Sequence, residues 1–337
     1  HENFFVTSGG MAAIQTIIQM IAGDGDEIII PTPAWPNYAG SLRVQGSAPV
    51  EVPMDFSNGR WVLDLDRMFD AISPRTRAIS LNSPSNPVGW TATRDELIAI
   101  RDICRRRGIW ILGDEVYSRF YYGERGETRA PSFLDICDDE EMLLLANTFS
   151  KNWAMTGWRV GWLQAPKALG AAVERIVQYN SSGTPAFLQR GCVAALDDGE
   201  DFLRRQVAKA RSNRDMVAKL LGEMPKIRFE IPRGAFYLFF AIDGMTDSAR
   251  TTMRIIRSLS GMSLWPPAVP RFSRNSSGTP RTNSMKPIDT QRTIGILERR
   301  PSASRMPMGS DPAMPTEATT SVTSSPPHSE VSTWLRP

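Results

Sequence analysis

The chain has 337 residues, 41% of them hydrophobic and 22% charged, with a formal net charge of only +3. That balance suits one large α/β domain with a smaller companion, and without a basic stripe of interleaved aromatics it argues against a nucleic-acid partner. No apolar run reaches the length of a membrane span, and two histidines, His1 and His328, with three widely spaced cysteines, Cys104, Cys137 and Cys192, supply neither zinc-ligand spacing nor a base for a Ser-His-Asp or Cys-His hydrolase.

Taken in chain order, β-branched runs predict strands over 26–31, 48–53, 76–82, 108–114, 142–148 and 159–165. Amphipathic stretches at 10–22, 35–45, 93–107 and 167–178 alternate with them and predict helices. The alternation implies a mostly parallel sheet with helices on both faces, in which ligands collect at the carboxyl ends of the strands. Residues 185–221 read as two helices broken near Asp197–Asp201, and 234–243 as a strand of a smaller C-terminal α+β region. The expected division is therefore a large domain over 1–184, linking helices and a partial small domain over 185–262, and a tail over 263–337.

The tail holds 12 of the 25 prolines with many Ser and Thr, a composition expected to stay disordered. Its abrupt onset fits a shifted reading frame: reread from each third codon base, Leu264–Val269 permits Leu-Ala-Pro-Gly-Ser. The thiol pattern fits reduced cysteines and a cytoplasmic protein, and no signal peptide leads the chain, which begins at His1.

Chemistry concentrates at the predicted strand ends. "TSGG" opens a helical pattern with Gly9, Gly10 and Met11, a turn that offers backbone N–H groups to an anion or serves as an ordinary glycine-rich turn. Trp35 follows a strand and reads either as core packing or as a flat aromatic facing a ligand. Asn86 sits on a Pro-bracketed turn, and "DEVY" sets Asp114 just past a strand end with Tyr117 three residues on. "NTFSKNWAMTGWRVGW" places Lys151 beside Thr148 and Ser150, with Arg159 eight residues later. Two cations in a Trp-rich segment need an anionic or covalent partner. An anion cradle, a flat aromatic, an Asn, an acid with a nearby Tyr, and a lysine with an arginine together supply what pyridoxal phosphate needs.

Through "VTSGGMAAI", "SPSNPVG", "GDEVY", "SKNWAMTGWRVGW" and "GAFYLFF", residues 3 to about 262 resemble the fold-type I pyridoxal-phosphate aminotransferases of class I/II, the aspartate and aromatic aminotransferase group. The resemblance implies that Lys151 is the Schiff-base lysine and catalytic base. It also implies that Asp114 contacts the pyridine nitrogen, that Tyr117 and Asn86 contact the ring oxygen, and that Trp35 stacks on the ring. Gly9, Gly10, Met11, Thr148 and Arg159 match the phosphate cup, while Ser150 supports the loop. "NPVG" stands where the family has N-P-T-G, and Thr148 where it has Ser. The implied activity is transfer of an amino group from an L-amino acid to a 2-oxo acid in a homodimer. The alternatives are a β-elimination lyase on the same scaffold and an inactive cofactor-binding fragment. The family's stretch ahead of the "SGG" turn and its C-terminal substrate-carboxylate arginine have no counterpart in the sequence, which implies truncation at one end and alteration at the other.

Overall fold

The computed structural model describes residues 2–123, 126–138, 141–245, 271–274 and 280–283. The described residues up to Met245 belong to one compact unit. In it, strands β1 (Phe4–Thr7), β2 (Glu27–Thr32), β3 (Ala48–Pro53), β6 (Thr76–Asn82), β7 (Trp110–Asp114), β8 (Leu143–Thr148) and β9 (Gly161–Gln164) form a seven-stranded sheet of order β1-β9-β8-β7-β6-β2-β3. Between β3 and β6 come a small antiparallel hairpin, β4 (Asp55–Ser57) with β5 (Arg60–Val62), and the short helix α3 (Leu65–Asp70).

The sheet is mostly parallel, as the alternating pattern predicts: β3, β2, β6, β7 and β8 run together in consecutive parallel pairings. β9 runs against both of its neighbours, β8 and β1. β1 consequently points the same way as β8, so its carboxyl end reaches the same rim of the sheet.

Period-two alternation divides each strand between two cores. Ile28, Ile30, Ala78, Leu112, Leu144 and Ala146 pack under α1 (Gly10–Ile21), α2 (Asn37–Val44) and α6 (Gly170–Ser181). On the opposite face, Ile29, Ile79, Leu81, Ile111 and Leu143 pack with Leu97, Ile100 and Cys104 of α4 (Arg94–Arg107) and with Met68 of α3. Helix α4 is strongly specified: Thr93 and Glu96 form a capping box, three arginines fill its last turn, and Gly108 closes it in the left-handed conformation.

The one-turn helix α5 (Phe149–Asn152) follows β8, and α7 (Ala186–Asp198) and α8 (Glu200–Gly222) meet at Gly199, inside the predicted break. The strand expected over 234–243 is corrected: only Phe240–Ile242 (β11) is a strand, paired with Ile227–Phe229 (β10). Ala235 adopts φ 56°, a left-handed conformation no strand accommodates, so Gly234–Phe239 leaves the ladder. Of the expected tail, one antiparallel hairpin, Arg271–Arg274 (β12) with Pro280–Asn283 (β13), is described, and it falls in a second unit. The expectations of disorder and a shifted frame otherwise lie outside the described residues. No helix among the described residues is long and apolar enough to cross a membrane.

Candidate active site

Segments leaving the carboxyl ends of β1, β2, β6, β7 and β8 converge on a cavity of about 230 Å³. Gly10, Met11, Trp35, Asn86, Asp114, Tyr117, Thr148, Lys151 and Arg159, all singled out from the sequence, line it. Gly9 stands immediately behind Arg159. Reversal of β9 is what delivers Arg159 here, because that strand starts at the rim where the others end.

One end of the cavity suits an anion. Gly9 has φ 94° and ψ 168°, a region essentially reserved for glycine, and a Cβ there would run into the Arg159 guanidinium. A Cβ on Gly161 would come within 2.7 Å of both the Asn147 carbonyl oxygen and the Gly9 carbonyl carbon, so backbones touch at this corner. Helix α1 begins without a side-chain cap, leaving first-turn N–H groups without intrahelical acceptors. Thr148 Oγ1 accepts from the Ser150 N–H at 3.1 Å, and the hydroxyls of the two residues lie 3.0 Å apart. Arg159 donates to Ser150 Oγ at 3.3 Å and to the Thr156 carbonyl at 3.0 Å. It holds φ 54°, a costly conformation for a residue with a Cβ. Among the described residues neither Arg159 nor Lys151 has an ion-pair partner.

The opposite end holds Asp114, 3% exposed, its carboxylate accepting from the Val116 N–H at 3.2 Å. Burial pushes this carboxyl up to about 6, against the opposing pull of the Tyr38 hydroxyl, the Val116 N–H and the Lys151 ammonium. Tyr38 influences Asp114 from the core side, yet its buried hydroxyl has no hydrogen bond of normal geometry. The carboxylate thus faces the cavity short of partners. Tyr117 sits between the two ends, its hydroxyl 2.7 Å from that of Tyr237 and beside the Asn86 side chain. Burial, the largest influence, drives its phenol far above the usual range and keeps it protonated. Lys151 Nζ lies 5.9 Å from the centre of the Tyr117 ring. Trp35 does both of the things its sequence context allows, packing on the core, edge-on to Tyr38 at 6.4 Å, and lining the cavity.

Pyridoxal phosphate fits this donor set. Backbone N–H groups, two hydroxyls and a guanidinium suit a phosphate, while a buried carboxylate short of partners suits a protonated pyridine nitrogen. Asn82 and Tyr237 also line the cavity and were not singled out from the sequence. Asn82 ends β6, so the strand-end rule could have found it; Tyr237 lies in the segment that reads as strand but is not.

The model of the family described as aminotransferase class I and II matches residues 1–268. An aspartate aminotransferase of Pyrococcus horikoshii is 34% identical over 245 residues, covering 72% of this chain and 61% of its own length. A probable aspartate/prephenate aminotransferase of Aquifex aeolicus is 33% identical over 236 residues, covering 69% and 59%. Among solved structures, the aromatic aminotransferase from Pyrococcus horikoshii OT3 superposes with a TM-score of 0.70 at 30% identity, covering 75% of this chain and 67% of that one. The chain therefore spans about three fifths of the length of these sequence relatives.

Proposed function

The chain belongs to the aminotransferase class I and II family, whose members use pyridoxal phosphate, and from that premise we propose that it serves an aspartate-aminotransferase-like transamination between an L-amino acid and a 2-oxo acid. The observation that carries this reading is the meeting of Lys151, Asp114 and the Gly9–Arg159 corner in one cavity. When bound, pyridoxal phosphate supplies a carbonyl carbon that accepts amines and a pyridinium ring that withdraws electrons from the substrate α-carbon.

Everything else is the work of the chain. Lys151 Nζ would hold the cofactor and, once displaced by the substrate amine, would serve as the base that moves the substrate α-proton. Asp114 would keep a proton on the ring nitrogen. Tyr117 and Asn86 would hold the ring oxygen, Trp35 would cover the ring face, and Gly9, Gly10, Met11, Thr148 and Arg159 would hold the phosphate. Both main cores are drawn from residues before 184, which supports residues 1–184 as the cofactor-binding domain and 185–262 as linking helices and partial small domain. Exposed Tyr179 and Phe187, at 80% and 74%, support a homodimer that covers them. Three free thiols support a cytoplasmic setting.

Borohydride reduction of the cofactor-treated chain followed by peptide mapping tests the reading. The label belongs on Lys151; a label elsewhere, or none on folded protein, refutes the assignment. Products then separate activities: a new amino acid with a 2-oxo acid for transamination, ammonia with pyruvate for β-elimination.

A further inference from the structure

We propose that Gly191 is a positioning residue for Arg159, acting through Trp158: its missing side chain leaves a seat on α7 in which the indole holds the Arg159 turn at the phosphate end of the cavity. The inference rests on the cofactor reading above and concerns two residues outside the set it assigns.

Arg159 needs an external hold. It adopts φ 54° and ψ 47°, a conformation that a residue with a Cβ keeps only where its surroundings dictate it. Contacts within its own segment are local: the Trp158 N–H donates to the Met155 carbonyl at 3.1 Å, and the Arg159 guanidinium donates to the Thr156 carbonyl at 3.0 Å. The preceding turn, Thr156–Trp158, has three residues and none of them is buried. So short a turn does not hold itself.

The hold comes from α7. The residues on either side of Arg159 rest on consecutive residues of that helix. The Trp158 indole lies so close to Gly191 that a Cβ there would fall 2.3 Å from its Cζ3 and 2.9 Å from its Cη2. Val160, 1% exposed, packs in a cluster with Cys192 and Phe149. Gly191 stands in the interior of α7, where glycine is a poorer helix former than alanine. What it offers there is room for an aromatic ring. Trp158 is 43% exposed, so burial alone does not fix the indole, and the contact with Gly191 does. The segment carrying Lys151 is held separately: Phe149 and Trp153 pack ring to ring at 4.9 Å in the cluster that contains Cys192. A change at Gly191 therefore reaches the arginine and spares the lysine.

Gly191→Ala adds one methyl, and the indole must retreat from 2.3 Å to at least 3.4 Å, where ordinary contact begins. A shift of that size beside Arg159 misplaces a charged hydrogen bond. The readout is phosphate preference, the ratio of the full chain's affinities for pyridoxal phosphate and for pyridoxal, which lacks the phosphate. Both are followed by absorbance, with the melting temperature of each variant as a fold control. Lys151 meets the two aldehydes alike, and Arg159 serves only the first. In Gly191→Ala the ratio should fall roughly tenfold, the worth of one charge-assisted hydrogen bond, with pyridoxal binding unchanged. Trp158→Ala should lower the ratio as well. Adding Gly191→Ala to it should lower the ratio no further and should raise the melting temperature, since alanine favours the helix once no ring is displaced. An unchanged ratio in folded Gly191→Ala overturns the inference, as does a second fall in the Trp158→Ala background or a loss shared equally by both aldehydes. Should Gly191→Ala fail to fold, Trp158→Ala decides, and an unchanged ratio there overturns the inference. If the parent chain binds neither aldehyde, the functional reading and the inference fall together; a parent that prefers the phosphate, with variants that prefer it equally, removes the inference alone.

Discussion

Asn82 and Asp114 are register partners at the carboxyl ends of adjacent strands, and the Asn82 side chain donates to the Asp114 carbonyl at 3.0 Å while accepting from the Asn86 N–H at 2.7 Å. One amide thus ties the turn carrying Asn86 to the backbone that aims the Asp114 carboxylate. Asn82→Ala should cost about 1–3 kcal/mol, because the Asn86 N–H loses its acceptor in a partly buried site. Cofactor affinity should fall with it. Urea unfolding and cofactor titration read both losses, and a fully stable variant with unchanged affinity would show that the turn holds itself.

Asp114→Asn should separate stability from activity. The carboxyl is raised to about 6 by burial, so the folded apo chain binds more protons than the unfolded one as pH climbs from about 4 to 6, and stability falls over that window. Asparagine carries no charge to bury, so the apo variant should be the more stable at pH 8, by up to about 3 kcal/mol. Amino-group transfer should drop by about 10²-fold or more, since the electrostatic support of the ring is gone. A variant that melts lower at pH 8 would contradict the burial account.

Glu115, next in sequence and 5% exposed, plays no part in the proposed chemistry. Its carboxylate accepts from Ser132 Oγ at 2.6 Å and the Phe133 N–H at 3.0 Å, yet burial still raises it to about 7. Stability should therefore decline as pH rises from about 4.5 to 7. Glu115→Gln can keep both contacts, accepting from Phe133 and donating to Ser132, so it should flatten that slope. Parent and variant should match near pH 4.5 and diverge by up to about 3 kcal/mol at pH 8, with the variant ahead. Parallel pH profiles would show that the carboxylate is stabilised as a charge.

Gly9→Ala tests the anion corner. The backbone region that Gly9 occupies costs other residues about 1–3 kcal/mol, and the new methyl would push the Arg159 guanidinium aside. Inorganic phosphate should raise the melting temperature of the apo parent and have little effect on the variant. Equal protection of both would place the phosphate site elsewhere.

Legibility in the sequence followed burial. β6 could be read to its last residue because Thr76–Asn82 alternates between two cores and stops at a Pro-bracketed turn. Asp114, Lys151 and Arg159 stood out because charges beside apolar strands demand a reason. The direction of β9 was not legible, since a buried apolar run looks alike in parallel and antiparallel settings. β1, β4 and β5, with three or four residues each, are too short for periodicity to register. Residues 234–239 misled because "GAFYLF" has the aromatic content of a strand, while the left-handed Ala235 is imposed by partners at Phe120 and Tyr122, far away in sequence.

The edge position of β1 has a consequence for the growing chain. Among the described residues β1 has one neighbour in the sheet, β9, and Phe4 through Thr7 pair with residues 161–164. The glycine turn that follows β1 is therefore among the first pieces of the cavity to be synthesised and among the last to be fixed, because closing so long a loop must wait for β9. Until β9 docks against β1, Lys151 and Asp114 have no anion corner beside them, so the phosphate end of the cavity is completed only when that reversed strand is in place.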